Sequence, residues 1–265
     1  MKPSDSKSLS PKKSLGQNFL VSEHMQDKII QACELRQDDI VLEIGPGKGA
    51  LTMKITPMVK QLFAVEKDPR MSDYLSQKEF ETSVTILNED FLKFNFDVLP
   101  AGQRIKVVGN LPYNVATPII EKILADRRRF SSFYMTVQLE YGQRLCADIN
   151  SKDYGSLSCF VQMYSDPTFL FRIKNTAFFP KPKVESCFLK LDILDQPKYD
   201  VRDEEALFRI IKMAFSQRRK TVRNALAQIV DKERLLNIFE KVGVDPKLRP
   251  ENLTLKQYVE IVNLI

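Results

Sequence analysis

A short stretch that follows an apolar run could hold an amine for chemistry. Residues 109–114 read GNLPYN, so a predicted buried strand ends in an amide, a proline and an aromatic ring. The side-chain oxygen of Asn110 and the carbonyl of Leu111 could accept the two hydrogens of a planar exocyclic amine such as adenine N6, if Pro112 bends the chain to present that carbonyl. Tyr113 could then stack on the base. A plain strand-ending turn explains the glycine, proline and asparagine, but it gives Tyr113 no role.

A glycine-rich loop follows the first predicted strand, Ile40–Ile44, and opens a helix. It reads E-x-G-x-G-x-G over Glu43–Gly49, and its candidates for close approach to a cofactor are Gly45 and Gly47. The loop fits the NAD fingerprint G-x-G-x-x-[G/A] as well as the first loop of S-adenosylmethionine-dependent methyltransferases. A tight strand–helix turn would also explain it, so this motif alone leaves three interpretations open.

Acidic residues end the next two predicted strands. Glu66 could accept hydrogen bonds from both ribose hydroxyls of either cofactor. Asp90 suits the exocyclic amine of a cofactor adenine, with Phe91 against the ring, and NAD enzymes do not need this second acid with an adjacent aromatic. Because GNLPYN ends the fourth strand, the carboxyl ends of four strands are predicted to line one crevice. This regularity argues against Asp90 being only a solvated loop residue, and the Asp90–Phe91 pair favours a methyltransferase over a dehydrogenase.

The histidine and cysteine content excludes several kinds of chemistry. The single histidine, His24, lies near the start of a predicted helix, so histidine-dependent triads and multi-histidine metal sites are excluded and no metal is expected. Amine methylation needs no imidazole base, because the sulfonium of the cofactor is already a strong electrophile. A C5-pyrimidine methyltransferase would place a nucleophilic cysteine at the active site, and none is found near GNLPYN. The four cysteines are scattered without a C-x-x-C pair, which predicts free, buried thiols.

The elements that position these residues alternate between strand and helix, which predicts an α/β fold with a doubly wound, mainly parallel sheet. The predicted strands are 40–44, 62–65, 84–87, 105–108 and 133–137, followed by strands at 157–164, 168–173 and 186–193 that we expect to be antiparallel. Beyond a polar linker at 195–200 the chain shows only helical periods, at 203–215, 218–230, 231–242 and 254–264. We therefore predict a basic N-terminal segment over 1–21, a Rossmann-like domain over 22–195 and a small all-helical domain over 196–265.

The net charge of +6 is concentrated at the two ends of the chain. Residues 1–18 carry four lysines against one aspartate, and residues 195–265 carry 14 Lys and Arg against 11 Asp and Glu, whereas residues 19–194 balance at 22 against 22. The asymmetry favours a polyanionic partner, although ordinary solubility charge explains the total equally well. No apolar stretch approaches the roughly 20 residues that cross a bilayer, and the N-terminus lacks a signal-peptide pattern, so we expect a cytoplasmic protein without a membrane segment.

The motifs together resemble the ribosomal RNA adenine N6-dimethyltransferases of the KsgA type. The resemblance covers residues 12 to 260 and rests first on GNLPYN, Glu43–Gly49, Glu66 and Asp90. Three further segments match the family: Lys12–Leu20 (KKSLGQNFL), its N-terminal cofactor-side segment; Phe178–Ser186 (FFPKPKVES), its F-x-P-x-P-x-V-x-S loop; and Phe215–Leu226, its C-terminal basic helix.

The resemblance implies roles for individual residues. The residues implied to contact S-adenosylmethionine are Asn18, Leu20, Gly45, Glu66, Asp90 and Asn110. The implied target-amine site is Asn110, Leu111, Pro112 and Tyr113, with Phe179 facing the base opposite Tyr113. Arg218, Arg219, Lys220 and Arg223 are candidates for phosphate contacts, because four basic residues lie within six positions.

The family resemblance also implies a substrate. Its members dimethylate two adjacent adenosines in the hairpin near the 3′ end of small-subunit rRNA, so we expect an immature 30S-type subunit as partner and a monomeric enzyme. A large-subunit rRNA methyltransferase of the antibiotic-resistance type shares the core motifs, and the F-x-P-x-P loop and the C-terminal domain discriminate against it. A non-catalytic RNA-binding assembly or transcription factor on the same fold is the alternative from a different class, and a dehydrogenase is a distant third.

Overall fold

The protein is built around a seven-stranded sheet, seen here in a computed structural model that describes residues 9–112 and 114–265, with only the backbone of Lys13. The strands are β1 (Phe19–Leu20), β2 (Ile40–Ile44), β3 (Gln61–Glu66), β4 (Ser83–Asn88), β5 (Ile105–Asn110), β6 (Phe130–Gln138), β7 (Ser165–Ile173), β8 (Phe178–Phe179) and β9 (Ser186–Ile193). β1 and β8 form a separate antiparallel pair, and the other strands form the large sheet.

The strand order places a crevice beside the first strand of the large sheet. The order is β4-β3-β2-β5-β6-β9-β7. The pairings from β4 through β6 are parallel, and β9 runs antiparallel to β6. The chain therefore leaves β2 toward β3 on one side and returns to β5 on the other, which is the switch point where α/β sheets bind ligands. This confirms the predicted doubly wound fold.

The core lies along the central strands. Every residue of β2 is buried, and Val41, Leu42, Val107 and Val108 have no exposed surface. Strands covered on both faces are apolar along most of their length, which explains why these segments read as nearly continuous apolar runs rather than as alternating patterns.

Helices follow the strands and then make up most of the C-terminal part of the chain. In the described part of the chain the α-helices are α1 (Glu23–Ala32), α2 (Thr52–Ile55), α3 (Pro69–Ser76), α4 (Ala116–Ala125), α5 (Leu139–Leu145), α6 (Ser156–Tyr164), α7 (Glu204–Ser216), α8 (Val222–Leu226), α9 (Lys232–Val242) and α10 (Leu255–Leu264). Ser22, Asp68 and Thr254 are residue types that favour the N-cap position, and each accepts a backbone hydrogen bond at the start of a helix.

The chain divides into two compact units. One unit ends at Gly142 and resumes over Thr168–Ile193, and the other comprises Gln143–Pro167 and Leu194–Ile265. The helical unit thus includes a segment, 143–167, that the sequence-based boundary at 196 assigned to the first domain.

Two predicted elements were wrong. Residues 157–164 form helix α6 rather than a strand, and Phe160 packs against Phe208 of α7 with ring centroids 5.2 Å apart. A short apolar run does not distinguish a buried helix from a buried strand, because both lack a polar face. The helix predicted over 218–230 is also shorter, since Thr221 caps α8 and residues 217–220 form a turn after α7.

The cysteines are free, as predicted. Cys33, Cys159 and Cys187 are buried, and Cys146 is half-buried. Within residues 9–112 and 114–265, no helix combines the length and apolarity that crossing a membrane requires.

Candidate active site

A cavity of about 250 Å³ lies at the carboxyl ends of β2, β3 and β5, and the loop after β4 also lines it. Its lining includes the following predicted cofactor and amine-site residues: Asn18, Leu20, Gly45, Gly47, Glu66, Asp90, Phe91, Asn110, Leu111 and Pro112. Tyr113 lies outside the described residues. The structure therefore brings together, from five separate segments, residues that the sequence analysis had assigned to one site.

The glycine loop keeps its backbone close to the cavity because two positions exclude a side chain. Gly47 has φ +58°, and a Cβ there would lie 3.1 Å from the Phe19 ring. Gly49 has φ +83°, and a Cβ there would lie 2.7 Å from Leu75 Cδ2. Both the left-handed backbone and the lack of space require glycine. The loop can therefore bring main-chain groups against a ligand, as the motif predicted.

Glu66 is held at the end of β3 by backbone donors. Its Oε2 accepts from the Gly47 N–H at 2.9 Å, and its Oε1 accepts from the Asp68 N–H at 2.7 Å. The side chain is only 5 % exposed, and burial raises its pKa, although the two N–H donors oppose that shift. Each carboxylate oxygen retains a second lone pair, so Glu66 is fixed in place and can still accept hydrogen bonds from a diol.

Asp90 borders the cavity as an ionised acceptor. Lys67 Nζ lies 2.8 Å from Asp90 Oδ2, and the Leu92 N–H donates to Asp90 Oδ1 at 3.0 Å. The Lys67 hydrogen bond is the main cause that lowers the pKa of Asp90. A fixed carboxylate of this kind suits an exocyclic amine donor.

Phe91 lines the same cavity but is mostly buried. It is 6 % exposed, and its ring packs with those of Phe94 and Phe96, at centroid distances of 6.3 and 5.9 Å. Lys122 of α4 supports this loop by donating to the carbonyls of Leu92, at 3.0 Å, and Phe94, at 2.6 Å. Lys122 could not be predicted from the sequence, because nothing in its local pattern relates it to residues about 30 positions earlier.

The Asn110 amide has a defined orientation at the end of β5. Its Nδ2 donates to the backbone carbonyl of Asn18 at 3.0 Å. Because the two amide atoms lie on opposite sides of Cγ, Oδ1 points away from Asn18. The neighbouring Leu111 N–H donates to the Thr136 carbonyl at 3.2 Å, and the Leu111 side chain is buried, which anchors the start of the loop.

Phe179 does not line the cavity. It pairs with Phe19 in the β1–β8 ribbon, and its side chain is 60 % exposed. Its ribbon partner Phe19 and the preceding residue Phe178 do line the cavity. An exposed aromatic ring beside this site is consistent with the predicted contact to a base, which stays a prediction.

The acidic side chains outnumber the basic ones in the cavity lining. The acids are Glu43, Glu66, Glu89 and Asp90, and the bases are Lys48 and Lys67. Even when Glu43 is left out of the count, three acids line the cavity against two bases, and this excess of acidic groups favours a cationic ligand such as a sulfonium.

Glu43 is a buried acid of the glycine motif for which the sequence analysis gave no individual role. Its Oε2 accepts from the Thr52 hydroxyl at 2.7 Å, which ties the end of β2 to the start of α2. Burial raises the pKa of Glu43 to about 7, although the Thr52 hydrogen bond opposes the shift. The folded protein therefore favours the neutral acid.

We expect Glu43→Gln to change how stability depends on pH. The pKa of Glu43 is 4.5 in the unfolded chain and about 7 in the folded protein. The contribution of Glu43 to the free energy of unfolding is therefore greatest below pH 4.5 and is lost as the pH rises to about 7. For an isolated group this loss is about 3 kcal/mol. Glutamine can accept from Thr52 and does not titrate. Urea unfolding should show Glu43→Gln gaining stability relative to wild type between pH 4.5 and 7, whereas the exposed control Glu79→Gln should not; equal pH curves would contradict the assignment.

The four basic candidates lie in the helical unit. Arg219 and Lys220 are exposed in the turn after α7, and Arg218 and Arg223 are half-buried. Arg218 Nε lies 3.9 Å from Glu251 Oε2. The four residues therefore lie in the turn after α7 and at the start of α8, rather than on one continuous helix over 218–230 as predicted.

Comparison with known proteins agrees with this geometry. Residues 9–265 match the family described as ribosomal RNA adenine dimethylase. The chain is 38 % identical over 257 residues to the ribosomal RNA small subunit methyltransferase A of Clostridium botulinum (strain Okra / Type B1), covering 96 % of this chain and 93 % of that protein. It is also 38 % identical to the protein of that name from Moorella thermoacetica, covering 96 % and 92 % of the two chains.

Solved structures share the fold. A dimethyladenosine transferase from Plasmodium falciparum has a TM-score of 0.77 at 24 % identity, covering 92 % of this chain and 95 % of that one. The 23S rRNA methyltransferase ErmE has a TM-score of 0.73, also at 24 % identity, covering 93 % and 99 %. With the family match over nearly the whole chain, the protein belongs to the ribosomal RNA adenine dimethylase family and is an S-adenosylmethionine-dependent rRNA adenine dimethyltransferase.

Proposed function

We propose that this enzyme dimethylates the N6 amines of two adjacent adenosines in the hairpin near the 3′ end of small-subunit rRNA. We further propose that its substrate is an immature 30S-type subunit, that it acts as a monomer in the cytoplasm, and that it contributes to small-subunit biogenesis. The observation that carries the chemical part is the fixed Asn110 amide, whose oxygen points away from Asn18 at the switch point of the sheet. The relatives named for the small subunit support the choice of RNA.

The residues of the cavity fit the cofactor. Glu66 would hold the ribose hydroxyls, Asp90 would accept from the adenine amine, and the backbone of the Gly45–Gly49 loop lies open to the remainder of the ligand. An added Cβ at Gly45 would meet no atom within 4 Å, so the cavity has room along this loop. When bound, S-adenosylmethionine supplies a methyl group on a cationic sulfur, which is already a strong electrophile.

The remaining requirement is a nucleophilic amine, and the protein can provide for it without a base. The lone pair of adenine N6 is delocalised into the ring, which makes the amine planar and weakly nucleophilic. If Asn110 Oδ1 and the Leu111 carbonyl accept its two hydrogens, they favour the pyramidal amine in which the lone pair is free to attack. His24 is exposed on the first turn of α1 and takes no part in the cavity lining.

The competing functions differ in what they require of this site. A non-catalytic RNA-binding protein has no need to orient the Asn110 amide, so the hydrogen bond to Asn18 favours an enzyme. The fold does not distinguish small-subunit from large-subunit substrates, since ErmE shares it. The similarity to small-subunit methyltransferases over nearly the whole chain favours a small-subunit substrate.

Transfer of labelled methyl groups to isolated subunits tests the substrate. We expect labelled S-adenosylmethionine to label small subunits from cells that lack this modification, and not small subunits that already carry it. Large subunits from the same cells serve as the second control. Label confined to large-subunit RNA would overturn the proposal.

Phosphate contacts by the basic turn predict a change in salt dependence. Replacing Arg218, Arg219, Lys220 and Arg223 with alanine should weaken RNA binding and reduce the slope of log affinity against log salt by up to about 3, since each lost phosphate contact removes roughly 0.7–0.9. The matched control is alanine at the exposed lysines 212, 232, 241 and 247, which removes the same charge. Filter-binding titrations between roughly 50 and 300 mM salt measure the slope for both quadruple variants. Equal slopes would show that the residues of the turn make no phosphate contacts.

A further inference from the structure

Residues 12–20 are here called the strap; residues 14–20 of it line the cavity, and Gln17 anchors it on one side. Gln17 Nε2 donates to Asp68 Oδ2 at 3.1 Å, and its Oε1 accepts from the Lys12 N–H at 2.8 Å. Asp68 is fully buried, and the hydrogen bond from Arg70 is the main cause that lowers its pKa to about 2. Asp68 is therefore ionised at neutral pH and is a strong acceptor for Gln17.

On its other side the strap lies against the amine-site loop. The Asn18 carbonyl accepts from Asn110 Nδ2 at 3.0 Å. Gly16 has φ +64°, and a Cβ there would lie 3.3 Å from Asn114 Oδ1 and 3.4 Å from Pro112 Cβ. The strap thus links the end of β3, where Asp68 follows the proposed ribose acceptor, to the end of β5, where Asn110 lies.

We propose that Gln17 is a positioning residue for methyl transfer: it holds the strap so that the Asn18 carbonyl fixes the Asn110 amide with its oxygen toward the target amine. The inference rests on the proposed role of Asn110 as an acceptor. Rotation about the Asn side-chain amide is broad and roughly two-fold, so an unrestrained Asn110 would also present Nδ2 to the amine. In that orientation the Nδ2 donor of Asn110 faces the N–H groups of the target amine, and the lone pair of the amine nitrogen stays delocalised. The Asn18 carbonyl selects the productive orientation, and Gln17 keeps that carbonyl in place.

The decisive experiment combines Gln17→Ala with Asn110→Asp. In the wild-type background Gln17→Ala should lower kcat at saturating cofactor by about tenfold, the scale of one lost hydrogen bond to a charged group. An aspartate at 110 has two equivalent oxygens, so its orientation does not matter, and when ionised it repels the Asn18 carbonyl. In the Asn110→Asp background, loosening the strap should therefore leave kcat unchanged or raise it. A purely structural role of Gln17 would lower kcat in both backgrounds by the same factor, which would overturn the proposal.

A matched control is Gln37→Ala. Gln37 is exposed, and its amide also donates to a backbone carbonyl, that of Pro57 at 3.0 Å. We expect this variant to have wild-type kcat in either background.

A second measurement does not depend on turnover. The side-chain amide of Asn110, assigned in ¹⁵N-labelled protein by its absence from Asn110→Asp, should exchange its hydrogens slowly in wild type. Gln17→Ala should accelerate this exchange by about tenfold, and Gln37→Ala should not. Unchanged exchange in Gln17→Ala would overturn the inference while leaving the proposed function intact. If the wild-type enzyme instead methylates no adenine in small subunits, the proposed function fails, and the exchange data still report whether Gln17 holds Asn110.

Discussion

Asn110→Ala should reduce methyl transfer to adenine by about 100- to 1,000-fold, the range found when one group that stabilises a transition state is removed from a preorganised site. The variant loses the oxygen that accepts a hydrogen of the target amine, so the lone pair stays delocalised. It also loses the hydrogen bond to the Asn18 carbonyl, 3.0 Å from Nδ2 in wild type. Single-turnover kinetics with saturating enzyme and cofactor measure the chemical step directly.

The effect of Asn110→Ala should fall on the chemical step and on cofactor contacts, not on RNA binding. RNA binding should persist, because the basic candidates lie in the other unit of the chain. Gln77→Ala, at an exposed position after α3, is a control that should keep full activity. Turnover within a few-fold of wild type in Asn110→Ala would contradict the amine-acceptor mechanism.

Glu66→Gln should weaken binding of the cofactor product S-adenosylhomocysteine by about 100-fold, the combined scale of two hydrogen bonds to a charged acceptor. Wild-type Glu66 accepts from the N–H groups of Gly47 and Asp68, at 2.9 and 2.7 Å. A glutamine must turn its NH₂ toward one of these donors, which leaves a buried donor facing a donor. The variant therefore disturbs the loop and also loses one acceptor for the ribose.

Calorimetric titration of Glu66→Gln with S-adenosylhomocysteine measures this loss, beside the exposed control Glu79→Gln. Thermal unfolding separates it from a folding defect, because a folded variant should still melt cooperatively. A loss of affinity of no more than about threefold corresponds to roughly half the free energy of one hydrogen bond. Such a small loss would contradict the role of Glu66 in binding the cofactor.

The part of the site that could be predicted follows from local sequence patterns that mark where each strand ends. In a parallel sheet the carboxyl ends of the strands share one edge, so residues just after the predicted strands had to meet: Gly45, Glu66, Asp90 and Asn110. The spacing of apolar runs was enough to find these strand ends. The alternation of strands and helices likewise predicted the doubly wound, mainly parallel sheet that the structure shows.

The part that could not be predicted depends on contacts between distant residues. Gln17 meets Asp68 from 51 positions away, and the sequence indicates Asp68 only as a helix cap. The strand predicted at 157–164 is a helix because its apolar residues pack against α7, and a short apolar run carries no period that distinguishes the two. Buried polar partnerships and helix packing are set by tertiary structure, which local patterns do not encode.

Base-level mapping of the methylated RNA tests the central claim most directly. Unmodified small subunits are incubated with the enzyme and labelled S-adenosylmethionine, and their rRNA is digested to nucleosides and fragments for mass spectrometry. The account predicts N6,N6-dimethyladenosine at two adjacent positions in the hairpin near the 3′ end, formed about 100- to 1,000-fold more slowly by Asn110→Ala. Label on another base or atom, or dimethyladenosine only outside that hairpin, would contradict it.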